Sequence, residues 1–259
     1  MEVCELMRKA FDAYKEKIWE IIIVSLIIMI GAVISMIAVA ATFVREGIYP
    51  ISNLKTLEAT YSLSSLGPII AVLILATLLL LWLYSALYAV IESAVRRERK
   101  SLSDYFGRGG EKFLSLLGVR IISIAIILVP LLIIASLGYL ANLFMPALII
   151  GGAIAIYFSI RLLFAVPLIY LADKKALDAV KESLAGTKRF FGESAKIFLV
   201  TLLLGILSAI VGMVPIIGGL IQLLFFVPYS ILILFQGCQE LYKGKKKAIR
   251  RKAPKRRKK

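Results

Sequence analysis

The stretch from Ser159 to Ser183, "SIRLLFAVPLIYLADKKALDAVKES", joins the end of a long apolar segment to the beginning of a charged one. Arg161 lies inside the apolar part, Pro167 follows six residues later, and charge begins at Asp173. An apolar run of this length with one isolated charge is typical of a membrane-spanning helix, because a bilayer crossing takes about 20 apolar residues. The switch to charge marks the membrane surface.

Apolar segments of the same kind recur along the chain. The 259 residues are 60% hydrophobic and the mean hydropathy is +0.90, whereas soluble domains are about half apolar and have shorter apolar runs. Counts of five or seven spans are the alternatives to six, because residues 213–219 are nearly as apolar as their flanks. The six predicted spans are 18–44, 67–95, 113–141, 146–172, 195–213 and 219–241.

The predicted fold is an all-α polytopic membrane helix bundle in residues 1–242. The short uncharged turns "ANLFMP" (141–146) and "GMVPIIGG" (212–219) predict tight connections, so we expect three helical hairpins. The Lys/Arg bias of the loops predicts a cell-membrane protein with both termini in the cytoplasm. The base-rich segments are 1–17, 96–112 and 173–196. Cytoplasmic interfacial amphipathic helices are predicted at Val3–Ile18 and 173–191, with 101–113 as a shorter candidate.

The C-terminal segment Lys243–Lys259 contains twelve Lys and Arg residues and no acid, which leaves twenty bases against sixteen acids elsewhere. Because it has little to bury, we expect a disordered tail. Such a cluster attracts anionic lipid headgroups by about 1 kcal/mol per base near a membrane. A nucleic-acid contact is an alternative, although no specific nucleic acid is predicted, and so is a simple topology anchor.

Arg161 is predicted to lie near the middle of its span, about 16 Å from the cytoplasmic end. Its insertion costs at least about 3 kcal/mol, and no Asp or Glu lies near mid-depth in any predicted span. Three kinds of partner remain open: polar protein groups, water in a cavity, or an anionic ligand such as a lipid phosphate. The candidate protein groups are Gln222, Tyr157, Ser123 and carbonyls freed by Pro130 and Pro228.

A second intramembrane arginine, Arg120, is expected about 10 Å inside the third span. Glu92 lies one turn before the basic end of the second span, so Glu92 and Arg120 are a candidate ion pair, with snorkelling of Arg120 towards the surface as the alternative. The candidate ligand or lipid contacts are Arg161, Arg120, Gln222 and Tyr157. The candidate kink or motif positions are Pro130, Phe164, Pro167, Ser183 and Pro228.

Catalytic and metal-binding patterns are missing from the sequence. The chain contains no histidine, its two cysteines are far apart, and it has no phosphate-binding loop or zinc signature. No cofactor or metal is predicted. We expect a non-enzymatic protein that interacts with anionic lipid or organises the membrane or a partner complex, and a homo-oligomer or a membrane partner protein stays open. The alternatives are a transporter or channel for a small anionic or amphipathic solute, with a cavity lined by Arg161, and an integral-membrane enzyme.

The segment "RLLFAVPLIYLADKKALDAVKESLAGTKRFFG" (161–192) carries a resemblance. It resembles a loose group of six-span prokaryotic membrane proteins of unknown function and is similar to the membrane domain of glycerophosphodiester phosphodiesterases. The resemblance implies that the Arg–Pro stretch has a role in the fold or in a ligand site. It does not imply hydrolysis, because no catalytic domain accompanies it here. The matching positions are Arg161, Phe164, Ala165, Pro167, Ala179, Ser183 and the turn 188–191.

Overall fold

The computed structural model describes residues 2–45, 63–214 and 217–252, with side chains for 2–45, 67–214 and 217–242. Within these ranges the chain is helical and contains no strand. The helices are α1 (Val3–Glu16), α2 (Ile18–Arg45), α3 (Leu63–Arg96), α4 (Leu102–Leu140), α5 (Phe144–Leu162), α6 (Ala165–Leu171), α7 (Ala176–Arg189), α8 (Phe191–Gly212), α9 (Ile217–Ile221), a π-helix (Gln222–Phe226) and α10 (Val227–Lys252).

Six helical stretches are long and apolar enough to cross a membrane, so the expected all-α class with six spans is confirmed for the described residues. The fourth stretch combines α5 and α6, and the sixth combines α9, the π-helix and most of α10. The six stretches are Ile18–Arg45, Gly67–Arg96, Leu102–Leu140, Phe144–Leu171, Phe191–Gly212 and Ile217–Tyr242.

Helix α4 begins eleven residues before the predicted start of its span, because Ser101 caps it. The Ser101 hydroxyl accepts a hydrogen bond from the Asp104 N–H at 3.3 Å, and the Asp104 carboxylate accepts one from the Ser101 N–H at 2.9 Å. This reciprocal arrangement satisfies two backbone donors at the helix N-terminus. The segment 101–113, expected as a shorter interfacial helix, is therefore the capped beginning of α4.

One end of the bundle is rich in charged residues, and we call it the charged end. It contains the end of α3 at Arg96, the beginning of α4 at Leu102, and the connection 172–175 between α6 and α7. The buried core concentrates towards this end: on α3, residues 83–95 are buried except Tyr84, whereas Leu73, Ile74 and Leu75 are exposed. The helices therefore pack tightly near the charged end and leave more surface exposed away from it.

Helices α1 and α7 pack onto the bundle. Helix α1 packs against α10, where the Tyr229 hydroxyl donates to the Met7 carbonyl at 3.1 Å and Lys9 pairs with Glu240 at 2.7 Å. Helix α7 packs against α4, α5 and α6 and buries Ala179, Val180, Ser183 and Thr187. Both helices thus contribute to the core of the bundle.

The turn between α4 and α5 depends on a glycine. Asn142 adopts a left-handed conformation (φ 54°), and the Leu143 N–H donates to the Gly138 carbonyl at 2.7 Å. A Cβ atom at Gly138 would collide with the Cβ of Ala147 on the returning helix. Glycine at this position therefore allows α4 and α5 to approach each other closely.

The last helix continues into the basic segment. The backbone is helical to Lys252, and the disorder expected from residue 243 onwards stays a prediction. Lys, Arg and Ala are good helix formers, and extending an existing helix needs no new nucleus. The expectation of disorder for residues 253–259 lies outside the described residues.

Candidate functional site

Arg161 lies at the end of α5, where the fourth span is interrupted at Leu163 and Phe164. Pro167 lies in the first turn of α6 and cannot donate to the Leu163 carbonyl, so the helix is not continuous across this point. Phe164 is 1% exposed and packs edge-on against Tyr242, with ring centroids 6.4 Å apart. The break brings α7 against the last turn of α5.

The guanidinium of Arg161 is bound by protein groups. Its Nε donates to the Leu184 carbonyl at 3.1 Å, its Nη2 donates to the same carbonyl, and its Nη1 donates to the Tyr157 hydroxyl at 2.6 Å. The Tyr157 ring also lies 5.5 Å from the guanidinium carbon. Of the protein groups considered from the sequence, Tyr157 is a partner. Leu184, whose carbonyl becomes accessible through the packing of α7, was not foreseen.

The backbone carbonyl of Arg161 is also satisfied by α7. The Ser183 hydroxyl donates to it at 2.9 Å and the Thr187 hydroxyl at 3.1 Å. The last carbonyls of a helix have no partner within the helix, so these two hydroxyls stabilise the broken end of α5. Ser183, which is fully buried, therefore joins α7 to the end of α5 through this hydrogen bond.

The predicted ion pair between Glu92 and Arg120 is corrected by the structure. Glu92, 1% exposed, pairs with Arg96 at 3.0 Å and accepts hydrogen bonds from Nε and Nη2 of Arg108, both at 3.3 Å. Arg120 instead donates to the Tyr88 hydroxyl at 2.9 Å. Because α4 begins at Leu102, Arg108 lies opposite Glu92, and Arg120 lies about 18 Å further along α4.

The ion pairs of Glu92 are linked through Arg108 to the connection between α6 and α7. Arg108 also binds Asp173 at 2.7 Å, and Lys112 binds the same carboxylate oxygen at 2.8 Å. Asp173 has a left-handed backbone (φ 53°). Partial burial alone raises the pKa of Asp173, but the hydrogen bonds from Lys112 and Arg108 hold that pKa below its ordinary value. These charges connect α3, α4 and the connection 172–175 at the charged end.

A cavity of about 590 Å³ lies among four candidate spans. It contains two of the four predicted ligand contacts, Arg120 and Gln222, but neither Arg161 nor Tyr157 is among its lining residues. The arginine of this cavity is Arg120, whereas Arg161 is half-buried and donates to the Leu184 carbonyl on α7. The polar lining residues are Thr77, Tyr84, Tyr88, Arg120, Thr201, Ser208, Gln222 and Ser230.

The cavity contains polar groups that lack protein partners. Among the described residues, the Tyr88 hydroxyl is the one hydrogen-bond partner of the Arg120 guanidinium, which has five N–H donors. Thr77 and Thr201 donate within their own helices. Within the described chain, the side chains of Tyr84, Ser208, Gln222 and Ser230 have no hydrogen-bond partner. Polar groups inside a membrane need partners, so this cavity can accept water or a polar ligand.

The π-helix, which Pro228 closely follows, forms one wall of the cavity. Pro228 has no N–H to donate to the Leu224 carbonyl, and the Tyr14 hydroxyl of α1 donates to that carbonyl at 2.8 Å. A π-helical turn widens a helix locally and is frequent at functional sites. Here it contains Gln222 and Phe226, two lining residues. Pro130, in contrast, lies within continuous α4 and is half-buried.

Sequence reasoning did not identify Tyr84, Tyr88, Ser208 and Ser230 as cavity residues. A signal for them is present in the sequence: polar side chains recur at helical spacing within three spans. Tyr84 and Tyr88 are separated by four residues on α3, Thr201 and Ser208 by seven on α8, and Gln222 and Ser230 by eight. Each pair shares a face of its helix.

A family model described as the membrane domain of glycerophosphoryl diester phosphodiesterase matches residues 138–238. No curated protein and no solved structure matches the chain. The matched region contains the Arg161–Ser183 contacts and the part of the cavity lined by α8, the π-helix and α10, but not Arg120, Tyr84 or Tyr88. The resemblance predicted from the Arg–Pro stretch is confirmed, and residues 138–238 are similar to that membrane domain.

Proposed function

We propose that this multi-pass membrane protein binds an anionic lipid, with the lipid headgroup in the cavity at Arg120. The observation that carries the proposal is an incompletely paired guanidinium that lines a cavity together with four polar side chains without partners in the described chain. A phosphate or carboxylate supplies the acceptors that Arg120 lacks, since guanidinium groups bind these anions through parallel hydrogen bonds.

The charge of the cavity favours an anion. Its described lining contains one arginine and no Asp, Glu or His. In a medium of low dielectric constant, an isolated positive charge interacts strongly with a negative one. The same lining contains no carboxylate or imidazole that could act as a general base, which supports a binding role and not a catalytic one.

The position of the cavity favours a lipid over a water-soluble anion. Helix α3 packs against α2, α4 and α10, while α8 packs against α5, α9 and α10, and the cavity lies between α3 and α8. Thr77, Gly205 and Arg120 are exposed at its edges, next to exposed apolar residues such as Leu202 and Ile206. Such an opening on the side of the bundle leads into the bilayer, so that a lipid enters it without crossing water.

We further propose that the charged end and both termini face the cytoplasm of a cell. The concentration of Lys and Arg in residues 1–17, 96–112 and 173–196 and in the C-terminal segment supports this orientation. The basic C-terminal segment then attracts anionic headgroups and raises their concentration near the protein. A fluorescent reporter fused after Lys259 and quenched by a membrane-impermeant agent tests the orientation: quenching in intact cells contradicts it.

The lipid proposal is tested by native mass spectrometry of the full chain, purified in mild detergent from bilayers of phosphatidylcholine and phosphatidylglycerol. Wild type is compared with Arg120→Leu, Arg120→Lys and Arg161→Leu. We expect the wild type to retain phosphatidylglycerol and Arg120→Leu to retain about tenfold less or lower still, which corresponds to the loss of one charge-assisted hydrogen bond. Arg120→Lys keeps the charge and should retain an intermediate amount.

Folded Arg161→Leu should retain as much phosphatidylglycerol as wild type, because Arg161 is bound by Tyr157 and Leu184. Equal retention by wild type and Arg120→Leu overturns the proposal. Loss of lipid in folded Arg161→Leu, with retention in Arg120→Leu, assigns the lipid contact to Arg161 instead.

A transport role is the second candidate, and the interrupted helices favour it. The fourth span is broken at Leu163 and Phe164, and the sixth contains the π-helix beside the cavity. Discontinuous helices at a substrate site are a feature of many transporters. Liposomes containing the protein should then show uptake of a radiolabelled organic anion such as glycerol 3-phosphate that Arg120→Leu abolishes. Uptake no faster than in empty liposomes contradicts this role.

A further inference from the structure

Tyr88, on α3, lines the cavity of about 590 Å³ that also contains Arg120, and we call this the Arg120 cavity. Its ring stacks on that of Phe235, with centroids 6.1 Å apart, and packs against that of Tyr170 at 5.7 Å. Tyr170 is itself fixed, because its hydroxyl donates to the Ser85 carbonyl at 3.1 Å. The ring of Tyr88, a residue that is 7% exposed, is therefore held by its neighbours, and its hydroxyl has a defined position at the cavity.

The hydroxyl of Tyr88 carries a hydrogen atom that no group in the described chain accepts. Its oxygen accepts a hydrogen bond from Nη2 of Arg120 at 2.9 Å, and this leaves its own O–H free to donate. A hydroxyl that accepts from a cation becomes a stronger donor, because the first bond polarises the second. The hydroxyl therefore positions the guanidinium and also offers a further donor beside it.

Arg120 keeps enough free donors to bind an anion next to that hydroxyl. A guanidinium has five N–H groups in a planar fork, and its Nη2 belongs to both of the edges that present two donors. Tyr88 takes one of the two hydrogens on Nη2. Whichever hydrogen it takes, one edge keeps both of its donors, and an anion on that edge shares Nη2 with the tyrosine hydroxyl.

We infer that Tyr88 is a direct ligand of the headgroup anion, and that the lipid bound has a terminal phosphate, as phosphatidic acid does. The inference rests on the proposed function, because it needs an anionic lipid at Arg120. Two phosphate oxygens occupy the free edge of the guanidinium, and a terminal phosphate has a third unesterified oxygen for the Tyr88 hydrogen. A phosphodiester, such as that of phosphatidylglycerol, has only two unesterified oxygens, and both are used at Arg120.

The test is native mass spectrometry of the full chain, purified in mild detergent from phosphatidylcholine bilayers. These contain equal shares of phosphatidic acid and phosphatidylglycerol with the same acyl chains. We expect wild type to retain about tenfold more phosphatidic acid than phosphatidylglycerol, which corresponds to one hydrogen bond to a charged group. Tyr88→Phe should bring this ratio close to one, and Arg120→Leu should lower the retention of both lipids.

Tyr170→Phe is the matched control for the aromatic cluster. It removes a buried hydroxyl that bonds to the Ser85 carbonyl, but Tyr170 does not line the Arg120 cavity. We expect its ratio of phosphatidic acid to phosphatidylglycerol to equal that of wild type. A fall as large as that in Tyr88→Phe means that the ratio reports disturbed packing, and it overturns the inference.

Three other outcomes are decisive. A ratio that falls in Tyr88→Phe but not in Tyr170→Phe supports the inference. Retention that depends on Arg120, with the same lipid ratio in wild type and Tyr88→Phe, leaves the proposed function standing and overturns the role of Tyr88 as a ligand. Retention that neither Arg120→Leu nor Tyr88→Phe changes overturns both.

Discussion

The region around Arg161 and the region around Arg120 each place a guanidinium within a candidate span, but their surroundings differ. Arg161 is half-buried and donates to the Leu184 carbonyl on α7 and to the Tyr157 hydroxyl. Arg120 has the Tyr88 hydroxyl as its one partner in the described chain and is exposed to a cavity. The comparison indicates that a neighbouring helix that supplies acceptors ties an intramembrane charge into the fold. A charge without such a helix remains available for a ligand.

The charged end supports both regions, so the largest expected effect comes from Glu92. Glu92→Gln leaves Arg96 and Arg108 without their shared carboxylate at a position that is 1% exposed. Breaking a buried ion pair costs about 3–5 kcal/mol, and we expect the free energy of unfolding in mixed micelles to fall by that amount. The matched variant Glu98→Gln removes a carboxylate that is 39% exposed and should cost less than about 1 kcal/mol. Equal losses would show that burial of Glu92 does not matter.

The two arginines themselves give the next effect. Arg161→Leu removes the donors to Leu184 and Tyr157, and we expect it to lower the free energy of unfolding by about 2 kcal/mol, the typical value for hydrogen bonds to charged groups. Arg120→Leu should leave the free energy of unfolding unchanged or raise it, because it removes a poorly compensated charge. The measurement is again denaturation in mixed micelles. If Arg120→Leu lowers the free energy of unfolding more than Arg161→Leu does, Arg120 and not Arg161 is the arginine that stabilises the fold.

The hydrophobic pattern was sufficient to predict the six candidate spans, because each span must be long and apolar by itself. The partners of the charges could not be predicted in the same way. Arg161 binds a carbonyl of Leu184, 23 residues later, and the backbone carries no sequence signal for such a contact. The choice of Arg108 over Arg120 for Glu92 depended on where α4 begins, and the capping box at Ser101 was a readable signal of that beginning.

The resemblance to the phosphodiesterase membrane domain rested on the Arg161 stretch. In the structure this stretch forms a helix break, and Arg161 does not line the Arg120 cavity. Its Arg, Pro and Ser positions together make the helix break and the contacts with α7. The cavity combines residues from spans two, three, five and six. Gln222 and Arg120 were recognised as polar residues within spans, but their juxtaposition depends on how the helices pack, which local sequence does not specify.

The hydroxyl of Ser183 provides a smaller test of the Arg161 region. Ser183→Ala removes one donor to the Arg161 carbonyl, and we expect a loss of about 1 kcal/mol, the usual net contribution of a hydrogen bond. Ser194 is equally buried, but its hydroxyl donates within its own helix, to the Phe190 carbonyl at 3.0 Å. Ser194→Ala should therefore cost about 0.5 kcal/mol or less. A loss from Ser194→Ala as large as that from Ser183→Ala would mean that the contact with Arg161 adds nothing specific.

The smallest expected effect concerns Asp173, which connects the charged end to the helix break through Arg108 and Lys112. The pKa of Asp173 is lowered in the folded protein, so its carboxylate contributes stability above the unfolded pKa of about 3.9. This contribution is lost as the pH falls through the lower, folded pKa. We expect wild type to be more stable than Asp173→Asn at neutral pH, by a small margin because the side chain is 56% exposed.

Thermal unfolding of wild type and Asp173→Asn in micelles, from neutral pH down to below about pH 3, should show that margin disappearing. The protonated carboxyl and the amide are both neutral, so at the acidic end neither side chain forms an ion pair with Arg108 or Lys112. A margin that stays constant over this range would mean that the substitution acts through packing. In that case the charge of Asp173 does not hold α4 against the connection between α6 and α7.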